Sequence, residues 1–304
     1  MTFLWYDLET FGRFSRYDRI AQFAALRTDE DLQPVEEPVV LYARLSPDYL
    51  PDPLACIITG ITPQEVNAKG LCEADFLKAV DQHLSRPGTC ALGYNTIAFD
   101  DEFIRNLYYR NFADPYRREW ADGNSRWDIL DLVRAARDLR PEGIVWPQTE
   151  DGRPSVKLEL LTKANNLEHS QAHDALSDVY ATLAVARLIR EKNPKLFEWA
   201  FTHRTKDRAR TLIDLAGRTP LVHTASVHYS EKGNTTLVCP LITDPSRRNI
   251  VYAFDLRQDP RDLLTLPEKE LRRRMFTPEA ELAAEGLTRV ALTGIAMNKA
   301  PFLA

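Results

Sequence analysis

The sequence of 304 residues predicts an α/β fold followed by a smaller β-rich module. Three observations predict this class. Apolar and β-branched runs open the chain as an antiparallel meander. Helical and extended patterns then alternate, as in a sheet flanked by helices. Short strand-like runs separated by turns return in the last third. A chain of this length suits two domains, and Asn193-Pro194 gives a boundary between residues 1–193 and 194–304.

Each element of this prediction has a local signal. Thr62-Pro63-Gln64-Glu65 is a capping box with proline at the first helical position, so a helix starts there. The clearest helix covers residues 175–190, with apolar residues on one face and Asp174 as its cap. By the same patterns we expect strands at 3–9, 19–26, 39–46, 89–94, 221–229, 235–242 and 249–256, and helices at 73–85, from about 100, at 129–139 and at 158–166.

Asp7 and Glu9 lie two residues apart at the end of the opening strand. Because successive side chains of a strand alternate faces, both carboxylates project from the same side. Two such anions repel, and a divalent metal bound by oxygen ligands is the usual compensation. The alternative is a polar strand end that runs into a turn, and the pair alone does not decide between the two.

Further acids and a histidine occupy similar positions. Asp100 follows a buried strand at a helix start, where a plain N-cap is the competing interpretation. His173 and Asp178 differ by roughly 140° on one helix, so both reach one site only if His173 precedes the helix, as the cap at Asp174 predicts. His169 and His173 have the spacing of a zinc-binding helix, but the glutamate of that motif is absent.

Composition narrows the possible classes of protein. With 44% hydrophobic and 27% charged residues the chain is of ordinary globular type. We found neither a run of roughly 20 apolar residues nor a signal peptide, so we expect a cytoplasmic protein without a membrane partner. Residues 1–200 carry 23 Lys and Arg against 32 Asp and Glu, and residues 201–304 carry 16 against 12. The acidic part could contain a metal centre while the basic part attracts a polyanion. The alternative is that the runs of basic residues are only solvated helix faces.

The order and separation of these residues resemble a known superfamily. Asp7-x-Glu9, Asp100 and His173-x-x-x-x-Asp178 are similar to the motifs of the DEDDh 3′–5′ exonucleases. Longer segments in register resemble the bacterial exodeoxyribonuclease I family, namely Tyr6–Gly12, Ile58–Glu65, Tyr109–Tyr116, Asn124–Asp128 and Leu161–Asn165. The resemblance implies an RNase H-like mixed sheet flanked by helices and, in the later β-rich segment, an SH3-like domain.

The resemblance also implies a mechanism and cofactors. Two Mg²⁺ ions, for which Mn²⁺ may substitute in the family, would be held by Asp7, Glu9, Asp100 and Asp178. His173 would act as general base, a role that an imidazole pKa of about 6.5 suits. The enzyme would release nucleoside 5′-monophosphates from the 3′ end of single-stranded DNA, in repair and recombination. An exoribonuclease on the same scaffold and a non-catalytic DNA-binding module are the alternatives; the complete acid set argues against the second.

Substrate-binding residues follow from the same resemblance. Aromatic rings would stack on bases while cations meet phosphates, with core packing as the alternative for any one ring. Lysine stands at 157 where the family usually has arginine, which keeps the charge and loses bidentate contact. Leu8 and Phe11 would wedge against the terminal base. The implied set is Leu8, Glu9, Phe11, Arg105, Tyr116, Trp120, Trp127, Arg134 and Lys157.

Assembly and partners are expectations of the same kind. The family continues past its SH3-like domain into a helical domain, whereas this sequence stops at residue 304, so we expect processivity to be affected. Single-stranded-DNA-binding protein is a plausible partner by resemblance, reached through a basic face near the domain junction. We expect a monomer.

Overall fold

The structure is a computed structural model that describes residues 1–167, 174–228 and 233–304. The chain divides into two compact units, Met1–Phe201 and Thr202–Ala304. Our sequence-based domain boundary falls earlier, after residue 193, and the domain assignment stays a prediction. Among the described residues, no helix combines the length and apolar character needed to cross a membrane.

A five-stranded mixed sheet forms the centre of the first unit. In space its strands are ordered β3-β2-β1-β4-β5. The first three pair antiparallel, whereas β4 runs parallel to β1 and β5 parallel to β4. This arrangement confirms the expected meander and the α/β class. The strands are β1 (Thr2–Thr10), β2 (Ile20–Thr28), β3 (Val39–Tyr42), β4 (Thr89–Gly93) and β5 (Ser125–Asp128).

Helices cover this sheet because its two faces are both apolar. One face of β1 carries Leu4, Tyr6 and Leu8, which pack with buried residues of α3 and α4. The other face carries Phe3 and Trp5 and then the two acids. The helices are α1 (Pro53–Thr59), α2 (Pro63–Lys69), α3 (Glu73–Leu84), α4 (Asp100–Arg110), α5 (Ile129–Leu139), α6 (Leu158–Ala164), α7 (Ala175–Lys192) and α8 (Pro194–Thr202).

Side-chain caps fix where the predicted helices begin. The Thr62 hydroxyl accepts the backbone N–H of Glu65 at 3.2 Å, and the Asp174 carboxylate accepts that of Ser177 at 3.2 Å. Each bond satisfies one of the amides that a helix start leaves unpaired. Both predicted caps are confirmed, and α5 has the predicted bounds.

The second unit is built on a five-stranded antiparallel sheet, which confirms the β-rich prediction. The spatial order is β10-β6-β7-β8-β9, around a core that includes Val238, Ala253 and Ile295. The predicted strand at 221–229 is too long, because the chain turns into a 3-10 helix at Ser226–His228. The elements are α9 (Lys206–Thr211), β6 (Leu221–Thr224), β7 (Thr235–Thr243), β8 (Ile250–Asp255), α10 (Arg261–Thr265), α11 (Glu268–Phe276), α12 (Glu279–Ala284), β9 (Leu292–Ala296) and β10 (Phe302–Leu303).

Strand pairing brings the end of β1 close to the turn after β4. In β2, Ala24 lies opposite Asp7 and Gln22 opposite Glu9, and the register shifts directly after Glu9. On the other side β4 pairs only with the first part of β1. A Cβ atom at Gly93 would lie 2.6 Å from the Tyr6 carbonyl oxygen, so this close approach requires glycine.

Candidate active site

Three carboxylates from two elements meet beside the sheet. Asp7 and Glu9 project from the same face of β1, and Asp178 projects from the first turn of α7. Ligand oxygen atoms of the three side chains lie within 4.8 Å of one another. The strand spacing and the cap at Asp174 together produce this group, which could hold a metal ion.

Asp100 lies next to this group at the first position of α4. Its side chain is buried, and Oδ1 accepts the backbone N–H of Leu8 at 3.1 Å. That hydrogen bond attaches the start of α4 to the stretch of β1 between the two strand acids. Asp100 is therefore not a plain N-cap, since Phe99 occupies the cap position and the Asp100 carboxylate bonds to another element.

Electrostatics in the cluster favour a bound cation. Burial raises the pKa of Asp7 well above its usual value, and the charges of Asp100, Asp178 and Glu9 raise it further. Burial, followed by the charge of Asp178, raises the pKa of Glu9 to about 8. Burial also raises the pKa of Asp100. Protein oxygen ligands of this kind suit hard divalent cations, so the residues present fit such an ion.

The predicted general base cannot be placed. His173 lies outside the described residues, as does His169 of the alternative zinc interpretation. The described chain resumes at Asp174, the cap of α7.

A cleft of about 620 Å³ opens beside the cluster and has Asp178 in its wall. Two predicted cations, Arg134 and Lys157, line the same cleft, together with Tyr94 and Asn95. Arg134 Nη1 donates to Asp131 at 2.6 Å. These predicted cations therefore lie on the side of the cluster where α7 contributes its acid.

The other predicted substrate contacts form a surface patch on the first unit. Tyr116 and Trp120 are 55% and 67% exposed. The Arg105 guanidinium lies 5.1 Å from the Tyr116 ring centroid, and Glu119 accepts from it at 2.7 and 2.9 Å. Arg105 is therefore paired with Glu119 in this structure, and it supports the surface patch by lying against the Tyr116 ring.

Three expected contacts are buried instead. Trp127 packs edge-on against Phe197, with ring centroids 5.2 Å apart, so core packing is the correct interpretation for this ring. Leu8 and Phe11 are also buried, Phe11 in a cluster with Ile61. Both side chains are buried in this structure, and the wedge against the terminal base stays a prediction.

Sequence reasoning missed the buried polar residues that support the site. Asp128 accepts the N–H groups of Asn95 at 2.9 Å and Ile97 at 3.1 Å, which holds the turn between β4 and α4. Asp101 and Arg118 form a buried ion pair behind Asp100. The only local signal was the doubled acid at the start of α4, since the partners lie far apart in sequence.

Comparison with known proteins identifies the family. The exonuclease family profile matches residues 4–186. The chain belongs to the exonuclease family. A second profile, the exonuclease I SH3-like domain, matches residues 204–304 and confirms the predicted SH3-like fold.

Relatives of this family resemble the whole chain. Exodeoxyribonuclease I of Escherichia coli is 50% identical over 303 residues, covering 100% of this chain and 63% of the relative. A structure of Escherichia coli exonuclease I with a dA16 oligonucleotide superposes with a TM-score of 0.97 at 49% identity, covering 100% of this chain and 64% of that chain. A zinc-bound form of that enzyme with single-stranded DNA superposes with a TM-score of 0.96 at 48% identity, and the coverage of the two chains is the same. The chain thus spans less than two thirds of these relatives.

Proposed function

We propose that the chain is an exodeoxyribonuclease that hydrolyses single-stranded DNA from the 3′ end with a divalent metal. The observation that carries this proposal is the group of Asp7, Glu9 and Asp178 within 4.8 Å, on the segment that the exonuclease profile matches. The relatives named exodeoxyribonuclease I, and their complexes with DNA, support DNA as the substrate.

The acids would hold two Mg²⁺ ions, for which Mn²⁺ substitutes. Asp7, Glu9 and Asp178 lie close enough together to bind a metal jointly, and Asp100 adds a fourth carboxylate. When bound, such ions lower the pKa of water and stabilise charge that develops on phosphate oxygens. The hydrogen bond from Leu8 N–H to Asp100 orients that carboxylate before any ligand arrives.

His173 would take the proton from the attacking water. Its place in the sequence, directly before the cap of α7, and the family resemblance support this role. A neutral imidazole accepts a proton near neutral pH and holds it while the phosphodiester bond breaks. The product would be a nucleoside 5′-monophosphate.

Two groups of side chains would hold the strand. Arg134 and Lys157 line the cleft beside Asp178, where their charges suit phosphate. The exposed rings of Tyr116 and Trp120 would stack on bases without regard to sequence.

We also propose that residues 1–193 form the exonuclease domain and residues 194–304 the SH3-like domain. The protein would be a monomer, and single-stranded-DNA-binding protein would be a partner.

A 5′-labelled oligothymidine tests the function. With Mg²⁺ the label should remain on a ladder of products shortened from the 3′ end, and chelator should abolish shortening. Asp178→Ala should lower the rate by at least about a hundredfold, because a carboxylate that would hold the metal is lost. Glu191→Gln is the matched control, since this exposed acid lies at the other end of α7.

Several outcomes would contradict the proposal. Unaltered cleavage by Asp178→Ala would reject the site, and tight binding without hydrolysis in Mn²⁺ would favour a binding module. Faster turnover of a matched RNA oligonucleotide would reverse the substrate assignment. His173→Ala tests the base separately.

A further inference from the structure

A buried polar network lies behind the acid cluster, and its members come from four separate elements. Asp101 is its centre, with only 2% of its surface exposed. Oδ1 accepts Tyr6 Oη at 2.7 Å and Arg118 Nη2 at 2.6 Å, and Oδ2 accepts Arg126 Nη1 at 2.5 Å. A buried carboxylate with three such partners is held in one position.

The network is connected to two acids of the cluster, one in β1 and one in α4, through residues adjacent to them in sequence. Tyr6 directly precedes Asp7 in β1, and Asp101 directly follows Asp100 in α4. Neighbouring residues in a strand or helix point in different directions, so the network lies behind the two acids and does not include their carboxylates. Asp100 itself is held separately, by the backbone N–H of Leu8.

The same network fixes the exposed aromatic patch. Arg118 and Glu119 belong to the 3-10 helix Arg117–Glu119, which Tyr116 and Trp120 flank. Arg118 is buried, and Glu119 also forms an ion pair with Arg126, with Nη2 and Oε2 3.1 Å apart. The short helix thus buries two charged side chains between the two rings that it leaves at the surface.

We propose that the ion pair of Asp101 and Arg118 is a positioning pair that couples the aromatic patch to the acid cluster. It acts through Tyr116 and Trp120 and holds the DNA strand in register with Asp100. The strand-binding part of this inference rests on the proposed function. Asp101 is adjacent to Asp100 in α4, and Arg118 lies between the two rings in sequence, so the role of the pair is to keep the distance between the acids and the rings constant.

Arg118→Lys is the informative variant. Lysine keeps the buried charge, so Asp101 is not left uncompensated, but it lacks the planar guanidinium that reaches Asp101. Arg117→Lys is the matched control, because this neighbour on the same helix is exposed and pairs with Asp122 at the surface. If Arg118→Lys does not fold, Arg126→Lys keeps every buried charge and removes the other guanidinium that donates to Asp101.

The test is a double-mutant cycle on DNA binding without metal. The dissociation constant for a fluorescent oligothymidine is measured in chelator for the parent, for Arg118→Lys, for Tyr116→Ala with Trp120→Ala, and for the triple variant. We expect Arg118→Lys to weaken binding about tenfold in the parent and less than about twofold once the rings are absent. Mn²⁺ affinity, measured by calorimetry without DNA, should change less than about twofold.

Other results overturn the coupling. An equal loss in both backgrounds would mean that Arg118 acts independently of the rings, and an unchanged dissociation constant would mean that it positions nothing. A loss of Mn²⁺ affinity with normal DNA binding would assign the pair to the metal site. If the parent binds DNA but does not shorten it with Mn²⁺, the proposed function fails while the cycle still decides the coupling.

Discussion

Glu9 is a buried carboxylate that is grouped, among the described residues, with the carboxylates of Asp7 and Asp178. Its pKa is raised to about 8, first by burial and then by the charge of Asp178. In the proposed site such a side chain would stabilise a bound cation, and it destabilises the metal-free fold. Stability and ligand binding therefore oppose each other at this one residue.

Glu9→Gln should separate the two effects. Without metal near pH 8 the variant should gain about 1–3 kcal/mol in the free energy of unfolding, because a buried charge is removed at nearly constant volume. Addition of Mn²⁺ should raise the free energy of unfolding of the parent more than that of the variant. Urea unfolding in chelator and in excess Mn²⁺ measures the free energy of unfolding without and with metal. A variant that is less stable in chelator would show that Glu9 is not repelled by its neighbours.

At the scale of elements, α7 joins the site to the fold through its first turn. The Asp174 cap holds the helix start, and Asp178 follows one turn later. Asp174 also adds negative charge that raises the pKa of Asp7 and Glu9. The cap thus has a structural and an electrostatic role.

Two substitutions at Asp174 distinguish these roles. Asp174→Ala removes the cap and should cost about 1 kcal/mol of stability, with weaker metal binding because the turn that carries Asp178 loosens. Asp174→Ser keeps a capping oxygen without the charge, so stability should fall less. Thermal unfolding and Mn²⁺ calorimetry follow both. Equal losses in the two variants would mean that the cap is unimportant.

How far the sequence predicted these elements depends on where each signal lies. The caps at Thr62 and Asp174 and the apolar stripe of α5 are local, so those helices were predicted well. The acid group followed from strand alternation. The pairing of Asp101 with Arg118 joins distant residues, and the burial of Phe11 depends on the helices around it. Neither the ion pair nor the burial of Phe11 produces a pattern within a short stretch of sequence.

At the scale of the whole molecule, the two units contain buried titratable groups of opposite kind. In the first unit the pKa of Glu9 is raised, so stability is lost as the pH rises from about 4.5 through 8 without metal. In the second unit burial, and then the charge of His228, lowers the pKa of His223 to about 3. His223 is neutral when folded, so stability is lost as the pH falls from about 6.5 towards 3.

Acid should therefore destabilise the second unit. By pH 4 the cost from His223 should be about 3 kcal/mol relative to pH 7, and His223→Gln should lose less on the same change. Hydrogen exchange of β6 and β7 amides, corrected for the intrinsic rate at each pH, measures this. His203→Gln is the control, a less buried histidine of the same unit. An identical acid response in His223→Gln and the parent would contradict the assignment.

The pairing of β1 between β2 and β4 also limits how the chain can change length. Its backbone is hydrogen-bonded to β2 along both acids and to β4 before them. Inserting or deleting a single residue upstream of Asp7 within β1 would exchange the two faces, turning both carboxylates towards the core formed with α3 and α4 and Leu8 towards Asp178. Surface loops tolerate insertions, but in this strand a one-residue change would abolish the site while leaving the composition almost unchanged.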